Sequence, residues 1–323
     1  MPPIPISNPS DPQQPRQRVI CYHQTLRPDG GEYVSLLPLL ENPTGVTHII
    51  IAAFHLNPDP GHITLNNDPP DSPLHAELWA EVPRAQGRGV KVMGMLGGAA
   101  AGTFSCLDYE TNTGDGDSDG INQEKFERYY RPLLTMIRHH GLDGLDLDVE
   151  EPTSLRGIIR LIDRLRLDLG RDFIITLAPV AAALLGLGNL SGFDYRILEQ
   201  HRSAQIDWYN AQFYNGWGPA DEPGMYAAIV AQGWAPQRVV CGLLTNPGNG
   251  AQGYIPPERI GPVLGMLVER FPNFGGVMGW EYFNALPGLR ERPWQWAALM
   301  RLNMGMKGAV EAAREVVAAS RGG

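Results

Sequence analysis

Acidic and aliphatic residues alternate through Asp143-Gly144-Leu145-Asp146-Leu147-Asp148-Val149-Glu150, and Glu151 and Pro152 follow. In an extended strand this spacing sends Asp146, Asp148 and Glu150 to one face and Leu145, Leu147 and Val149 to the other. Carboxylates crowded on a buried face cannot all ionise, because desolvation and mutual repulsion both favour the protonated form. Such a group keeps one carboxylic acid neutral near pH 7, which is what protonation of a leaving group requires. Glu150 comes last, just before Pro152, and is read as the acid, with Asp148 as its partner and Asp146 beneath them. Asp143 has the wrong parity and is expected to anchor the start of the strand, and Glu151 is expected to be a loop carboxylate. Carboxylates alone could hold Mg²⁺ or Mn²⁺, but no histidine shares this face, so neither a metal nor another cofactor is expected.

The elements that position these acids follow from an alternation of short and long patterns. Eight strand-like runs, rich in Val, Ile and aromatics, fall at 18–23, 46–54, 90–96, 144–150, 172–180, 204–214, 238–244 and 275–283. Helical periodicity lies between them. Phe126, Tyr130, Leu133, Leu134 and Ile137 make one stripe, and Leu155, Ile158, Ile159, Ile162, Leu165 and Leu169 make another. Weaker helical stretches occupy 74–88, 221–233, 257–270 and 294–305, and Tyr33, Leu36, Leu37 and Leu40 suit a short helix. Alternating strands and helices imply parallel strands with right-handed crossovers. The expected fold is α/β, a single (β/α)8 TIM barrel, preceded by a proline-rich flexible arm (1–17) and followed by a C-terminal helical tail within the 18–323 domain. An open doubly wound sheet would want a glycine-rich phosphate turn after the first strand, and the sequence there, YHQTLRPDGG, offers none. In a closed barrel the acidic face lies between neighbouring strands, where a merely solvated charge run has no place. The C-terminal end of a barrel strand, where Glu150 falls, is where barrel enzymes keep their active sites.

Composition narrows the partners. The formal net charge is −9 and the 26 basic residues are scattered, so neither nucleic acid nor an anionic membrane is an expected partner. No apolar run reaches the roughly 18–20 residues of a membrane span. The start of the chain has no signal-peptide pattern, which leaves a cytoplasmic location, or a secreted one if a signal peptide has been removed. Cys21, Cys106 and Cys241 make no even framework, and Cys21 and Cys241 read as buried thiols. Asn189-Leu190-Ser191 is a sequon, usable only in a secreted form. Asp115, Asp117, Asp119 and Gly120 imitate the opening of a calcium loop, but its twelfth position falls on Phe126 rather than on a glutamate, so calcium is not expected.

The segment Asp143–Glu150 resembles the D-G-x-D-x-D-x-E signature of family 18 glycoside hydrolases, with every acidic position filled. The resemblance runs over nearly the whole chain after the arm. KVMGMLGGAA, LDLDVEEP, ITLAPVAAAL, NLSGF, IDWYNAQFYNG and GGVMGWEYFNALPG look most similar to fungal endo-β-N-acetylglucosaminidases of the Endo T type. It implies cleavage between the two core GlcNAc residues of N-linked glycans, high-mannose glycoproteins above all. A chitinase acting on chitin oligosaccharides is the alternative within the family, and a carbohydrate-binding lectin on the same barrel is the non-enzyme alternative. Intact Glu150 counts against the lectin.

The resemblance also implies substrate assistance, with Glu150 as acid and then base, Asp148 orienting the substrate acetamide, and Asp146 supporting it. Trp208, Asn210, Gln212 and Tyr214 share one face of the sixth run, and inward amides and a phenol suit hydrogen bonding to a sugar. By resemblance Tyr214 donates to the acetamido carbonyl. Met278 and Trp280 point the same way in the eighth run, and the resemblance gives Trp280 the floor under the reacting ring. Tyr22 and Phe54, at the ends of the first two runs, are candidates for the same wall. Trp217 and Asn284 lie in following loops and are expected against the outer glycan.

Overall fold

The computed structural model describes residues 17–108 and 118–305. The arm up to residue 16, the tail beyond residue 305 and the first aspartates of the calcium-like loop lie outside the described residues.

Eight parallel strands form a closed barrel. They are β1 (Arg18–His23), β2 (His48–Leu56), β4 (Lys91–Gly97), β5 (Gly144–Asp148), β6 (Ile174–Leu177), β7 (Trp208–Gln212), β8 (Val239–Leu244) and β9 (Gly276–Trp280). The order β1-β9-β8-β7-β6-β5-β4-β2 closes on itself through pairing of β1 with β2. A short strand that the sequence pattern did not announce, β3 (Ile63–Leu65), runs antiparallel to the end of β2.

The helices of the outer ring form where apolar stripes and end signals coincide. They are α1 (Leu37–Glu41), α2 (Ala76–Gln86), α3 (Thr103–Leu107), α4 (Ser118–His139), α5 (Leu155–Leu169), α6 (Ala181–Leu184), α7 (Tyr195–Arg202), α8 (Gly224–Ala231), α9 (Pro257–Arg270) and α10 (Gln295–Asn303). The Ser154 hydroxyl caps α5 by accepting from the Gly157 amide, and Gly170, with φ of +80°, ends it. The α5 stripe Ile158, Leu161, Ile162 and Leu165 is buried against the barrel. The sequence pattern missed α3, α6 and α7, because elements of four to eight residues carry too few turns to show a periodic stripe.

Two apolar layers result. The outer one lies between strands and helices and includes Leu145, Leu147 and Val149. The inner one fills the barrel with Ile20, Tyr22, Ile50, Met93, Met95, Trp208, Val240 and Met278. Phe54 belongs to the outer layer, not to the inner wall expected of it: it is fully buried and stacks on Trp79 with ring centroids 6.5 Å apart. The β2–β4 register shifts between Ile51 and Phe54, so Ala52 and Ala53 both face inward and the parity of every later residue is reversed. The three cysteines are buried free thiols, and burial pushes Cys21 and Cys241 up to about 12.

Candidate active site

β5 ends at Asp148, two residues earlier than the sequence pattern suggested, so Glu150 stands just beyond the strand at the barrel mouth. Asp146 is completely buried beneath it. Its Oδ1 accepts from the Thr176 hydroxyl at 2.5 Å and from the Asn210 amide at 3.0 Å, and its Oδ2 accepts from the Tyr22 hydroxyl at 2.6 Å. Burial raises its pKa, and these three donors pull it back by favouring the anion.

Asp148 has a different environment one step higher. It accepts from the Gln212 amide at 3.2 Å. Burial first, then repulsion by Glu150 and by Asp146, push its pKa well above the usual carboxylate range. The ladder is therefore graded: three donors surround the lowest carboxylate, whereas burial and its two acidic neighbours push Asp148 further up than Asp146.

Gln212, at the end of β7, ties the upper two acids together. Its amide donates to Asp148, to Glu150 Oε1 at 3.1 Å and to the Ala178 carbonyl at 2.9 Å. Tyr214 follows two residues later, is 5% exposed, and has no hydrogen-bond partner for its hydroxyl among the described residues. Burial and then the fields of Asp148, Glu150 and Asp146 raise its pKa far above the ordinary phenol value, so the hydroxyl stays a donor. Trp280 closes the opposite side, its ring edge-on to Tyr22 at 5.6 Å.

The cavity above these groups measures about 420 Å³ and is lined by Asp148, Glu150, Gln212, Tyr214 and Trp280 together with residues the sequence reading passed over. Among the latter are Gln24, Ala53, His55, Met95, Asn215, Asn249 and the loop from Gly97 to Ala100. The KVMGMLGGAA segment held the signal for that loop. Gly97 has φ of +95°, and a Cβ there would lie 2.6 Å from the Asp148 carbonyl oxygen. Gly98 donates its backbone N–H to that same oxygen at 2.8 Å. Only glycine lets this loop approach the carboxylate strand so closely.

Glu151 lies in the loop after β5 and is firmly held there. It is 7% exposed and accepts from the backbone amides of Gly102 at 2.9 Å and Phe104 at 2.6 Å, which pins the far end of the Gly97–Gly102 loop. Asp143 sits at the start of β5, accepting from Lys91 Nζ at 3.0 Å, the Val92 amide at 2.9 Å and the Gln86 amide at 2.9 Å.

Several expected sugar contacts lie elsewhere. Asn210 is fully buried, its amide spent on Asp146 and its oxygen accepting from Trp208 Nε1 at 2.9 Å. Tyr22 likewise props Asp146 from below, and Met278 is 1% exposed in the barrel interior. All three have the expected parity, but they sit a layer too deep to meet a ligand. Asn284 exchanges two hydrogen bonds with Asn249, at 2.8 and 2.9 Å, and so positions a lining residue rather than lining the cavity itself. Trp217 lines a separate groove of about 600 Å³ with Leu187, Tyr254 and Arg259.

A barrel with a graded acid ladder at the C-terminal ends of its strands agrees with what known proteins show. A sequence model of "Glycosyl hydrolases family 18" matches residues 18–240. The chain belongs to that family. Its barrel superposes on a chitinase, ChiC, from Aspergillus fumigatus with a TM-score of 0.79 and 73% identity, over 90% of this chain and 100% of that one. It superposes on a fungal endo-β-N-acetylglucosaminidase of family 18 with a TM-score of 0.82 and 44% identity, over 88% and 97% of the two chains. Among curated relatives, Endochitinase 37 of Trichoderma harzianum is 25% identical over 281 residues, covering 77% of this chain and 76% of that protein. Chitinase 2 of Rhizopus oligosporus is 27% identical over 223 residues, 63% of this chain, which spans only 36% of that relative. The family 18 assignment therefore stands, whereas the Endo T type expected within it is not shown: the similar chains include both a chitinase and an endo-β-N-acetylglucosaminidase. No helix among the described residues is long and apolar enough to cross a membrane.

Proposed function

We propose that this family 18 barrel hydrolyses the β-1,4 bond of a GlcNAc–GlcNAc unit with retention, using the substrate's own acetamide as nucleophile. The observation that carries the reading is the grading of the ladder: Asp146 held by three donors at the bottom, a buried Asp148 tied to Gln212 above it, and Glu150 at the cavity. The carboxyl next to the acid is buried and tied to Gln212, which suits it to holding a substrate amide rather than to attacking carbon itself.

In the proposed cycle Glu150 gives its proton to the glycosidic oxygen as the bond to the anomeric carbon breaks. The acetamido oxygen bonds to that carbon, and positive charge spreads onto the acetamide nitrogen. Asp148 accepts the acetamide N–H and must be anionic when this charge peaks, so its proton has moved to Glu150 by then and is the one that Glu150 hands to the glycosidic oxygen. Gln212, bonded to both, keeps the pair at fixed spacing. Tyr214 donates to the acetamido oxygen, and Asp146, two residues below, adds a fixed negative field. Glu150 then takes a proton from water, whose oxygen bonds to the anomeric carbon on the face the leaving group left while the ring C–O bond breaks and the acetamide is restored. Trp280 forms the apolar side of the reacting subsite.

The unit occurs both in the N-glycan core and in chitin. The N-glycan reading is supported by the flanking segments and by the 44% identical endo-β-N-acetylglucosaminidase. The chitin reading is supported by the 73% identical chain that is named a chitinase. Parallel digestion of a high-mannose glycoprotein and of chitin oligosaccharides separates them. Release of glycan leaving one GlcNAc on the protein supports the first, and shortening of the oligomers alone replaces it with the second. A substrate whose reacting sugar lacks the 2-acetamido group should remain intact, and its turnover would require an enzyme nucleophile instead.

A further inference from the structure

On the flank of the barrel, away from the acid ladder, α4 ends in adjacent histidines facing the loop between β3 and α2. His139 Nε2 lies 3.2 Å and His140 Nε2 3.3 Å from the same oxygen of Asp71, Oδ1. The three potential ligand atoms all lie within 4.8 Å of one another. We propose that Asp71, His139 and His140 form a binding site for a borderline divalent transition ion of the Zn²⁺ class.

The donor set is the first argument. Two imidazoles with one carboxylate favour Zn²⁺, Co²⁺, Ni²⁺ or Cu²⁺, whereas Mg²⁺ and Ca²⁺ prefer all-oxygen shells. Three protein ligands leave a position for water, and the exposed carboxylate gives the ion a route in. Preorganisation is the second argument. The His140 ring is stacked on Trp79 at 3.8 Å with planes 15° apart, and its side chain is only 6% exposed. Trp79 is fixed in turn, its indole N–H donating to the Pro70 carbonyl at 2.7 Å, one residue from Asp71. One ligand is therefore locked by packing, and the loop carrying another is anchored beside it. The Nε2 atoms of both rings already converge on the same Asp71 oxygen, so each ring can present its Nε2 lone pair to an ion held there.

The ion would clip the loop from Asn66 to His75 onto the end of α4. That loop begins at Asn66, whose side chain accepts from the Ala53 amide at 3.3 Å and donates to the Gln24 carbonyl at 2.9 Å. Both of those residues line the acid cavity, so the clip sits at the far end of a loop that supports the cavity rim. The site stands independently of the glycosidase reading.

The test uses the untagged full chain after dialysis against EDTA. Titration with Co²⁺ should give ligand-field absorption in the visible that saturates at one equivalent and is displaced by Zn²⁺, and Zn²⁺ should raise Tm where Mg²⁺ does not. His139→Ala and Asp71→Ala remove exposed side chains, so the metal-free Tm should hold. Each should weaken Co²⁺ binding by at least about 10–100-fold, the loss typical even of residues that only support a ligand. Absence of saturable Co²⁺ binding, unchanged affinity in either variant, or equal stabilisation by Mg²⁺ would each overturn the site.

Discussion

Asp148→Asn separates the stability of the site from its chemistry. In the proposed mechanism an anionic Asp148 faces positive charge developing on the acetamide nitrogen. Two unit charges about 4 Å apart in an effective dielectric of about 20 attract by about 4 kcal/mol, which is on the order of a thousandfold in rate. Asparagine keeps the shape and can still accept from Gln212, yet supplies no charge. Hydrolysis of a GlcNAc–GlcNAc substrate should therefore fall about 10²–10³-fold in kcat, the range found when a single charge-stabilising group is removed. A preformed sugar oxazoline bypasses the step that needs Asp148 and should still be consumed.

Stability should move the other way. An acid whose folded pKa is raised above its unfolded value contributes stability at low pH that is lost as pH rises through the folded pKa. Burial and the neighbouring acids raise Asp148 in this way, and asparagine never ionises. The variant should unfold at a higher Tm than wild type at pH 8, with the gap closing toward pH 4. A variant that hydrolyses at the wild-type rate would refute the role of Asp148 in substrate assistance. A variant less stable at pH 8 than at pH 4, relative to wild type, would refute the upward shift of Asp148.

Glu150→Gln should lower kcat about 10²–10⁴-fold with Tm nearly unchanged, and substantial residual hydrolysis would remove Glu150 from the acid role. Tyr22→Phe takes a donor from a wholly buried carboxylate and should destabilise by about 1–3 kcal/mol in denaturant melts. Tyr214→Phe breaks no hydrogen bond within the described chain, so kcat/KM should drop about 10²-fold with little change in Tm; a Tm loss matching that of Tyr22→Phe would make Tyr214 a structural residue. Glu151→Ala should destabilise by about 2–5 kcal/mol, since one buried and one part-buried amide lose a carboxylate acceptor, and should raise KM, with partial rescue by Glu151→Gln. An unchanged KM would mean the Gly97–Gly102 loop does not shape the cavity.

The parts legible in the sequence are those governed by local geometry. Alternation of faces along an extended chain is fixed by backbone pleating, so the inward set of Asp146, Asp148 and Glu150 and the outward set of Leu145, Leu147 and Val149 needed no neighbours to be read. The same is true of the eight strand runs and the α5 stripe, whose periods are properties of the chain itself. Tyr22, Asn210, Gln212, Met278 and Trp280 also received the correct inward face. Parity, however, carries no information about depth. Asn210, Tyr22 and Met278 turn out to lie below the cavity, because strand stagger in a closed barrel decides which inward residue meets the mouth and which fills the floor.

Phe54 marks the other limit. A shift of pairing between Ile51 and Phe54 reverses the faces of β2, and nothing in the local pattern announces it. The His139–His140–Asp71 grouping was hidden for a similar reason, since Asp71 is brought to the end of α4 only by the packing of a distant loop. Taken alone, the sequence determined the fold class, the acid ladder and its orientation, because these depend on backbone period and on the composition of single segments. Only the tertiary structure decided which donors each acid receives, and hence that three donors offset the burial of Asp146 while Asp148 is pushed further up. That difference depends on partners from β1, β6 and β7, which only barrel closure and register bring within hydrogen-bonding distance.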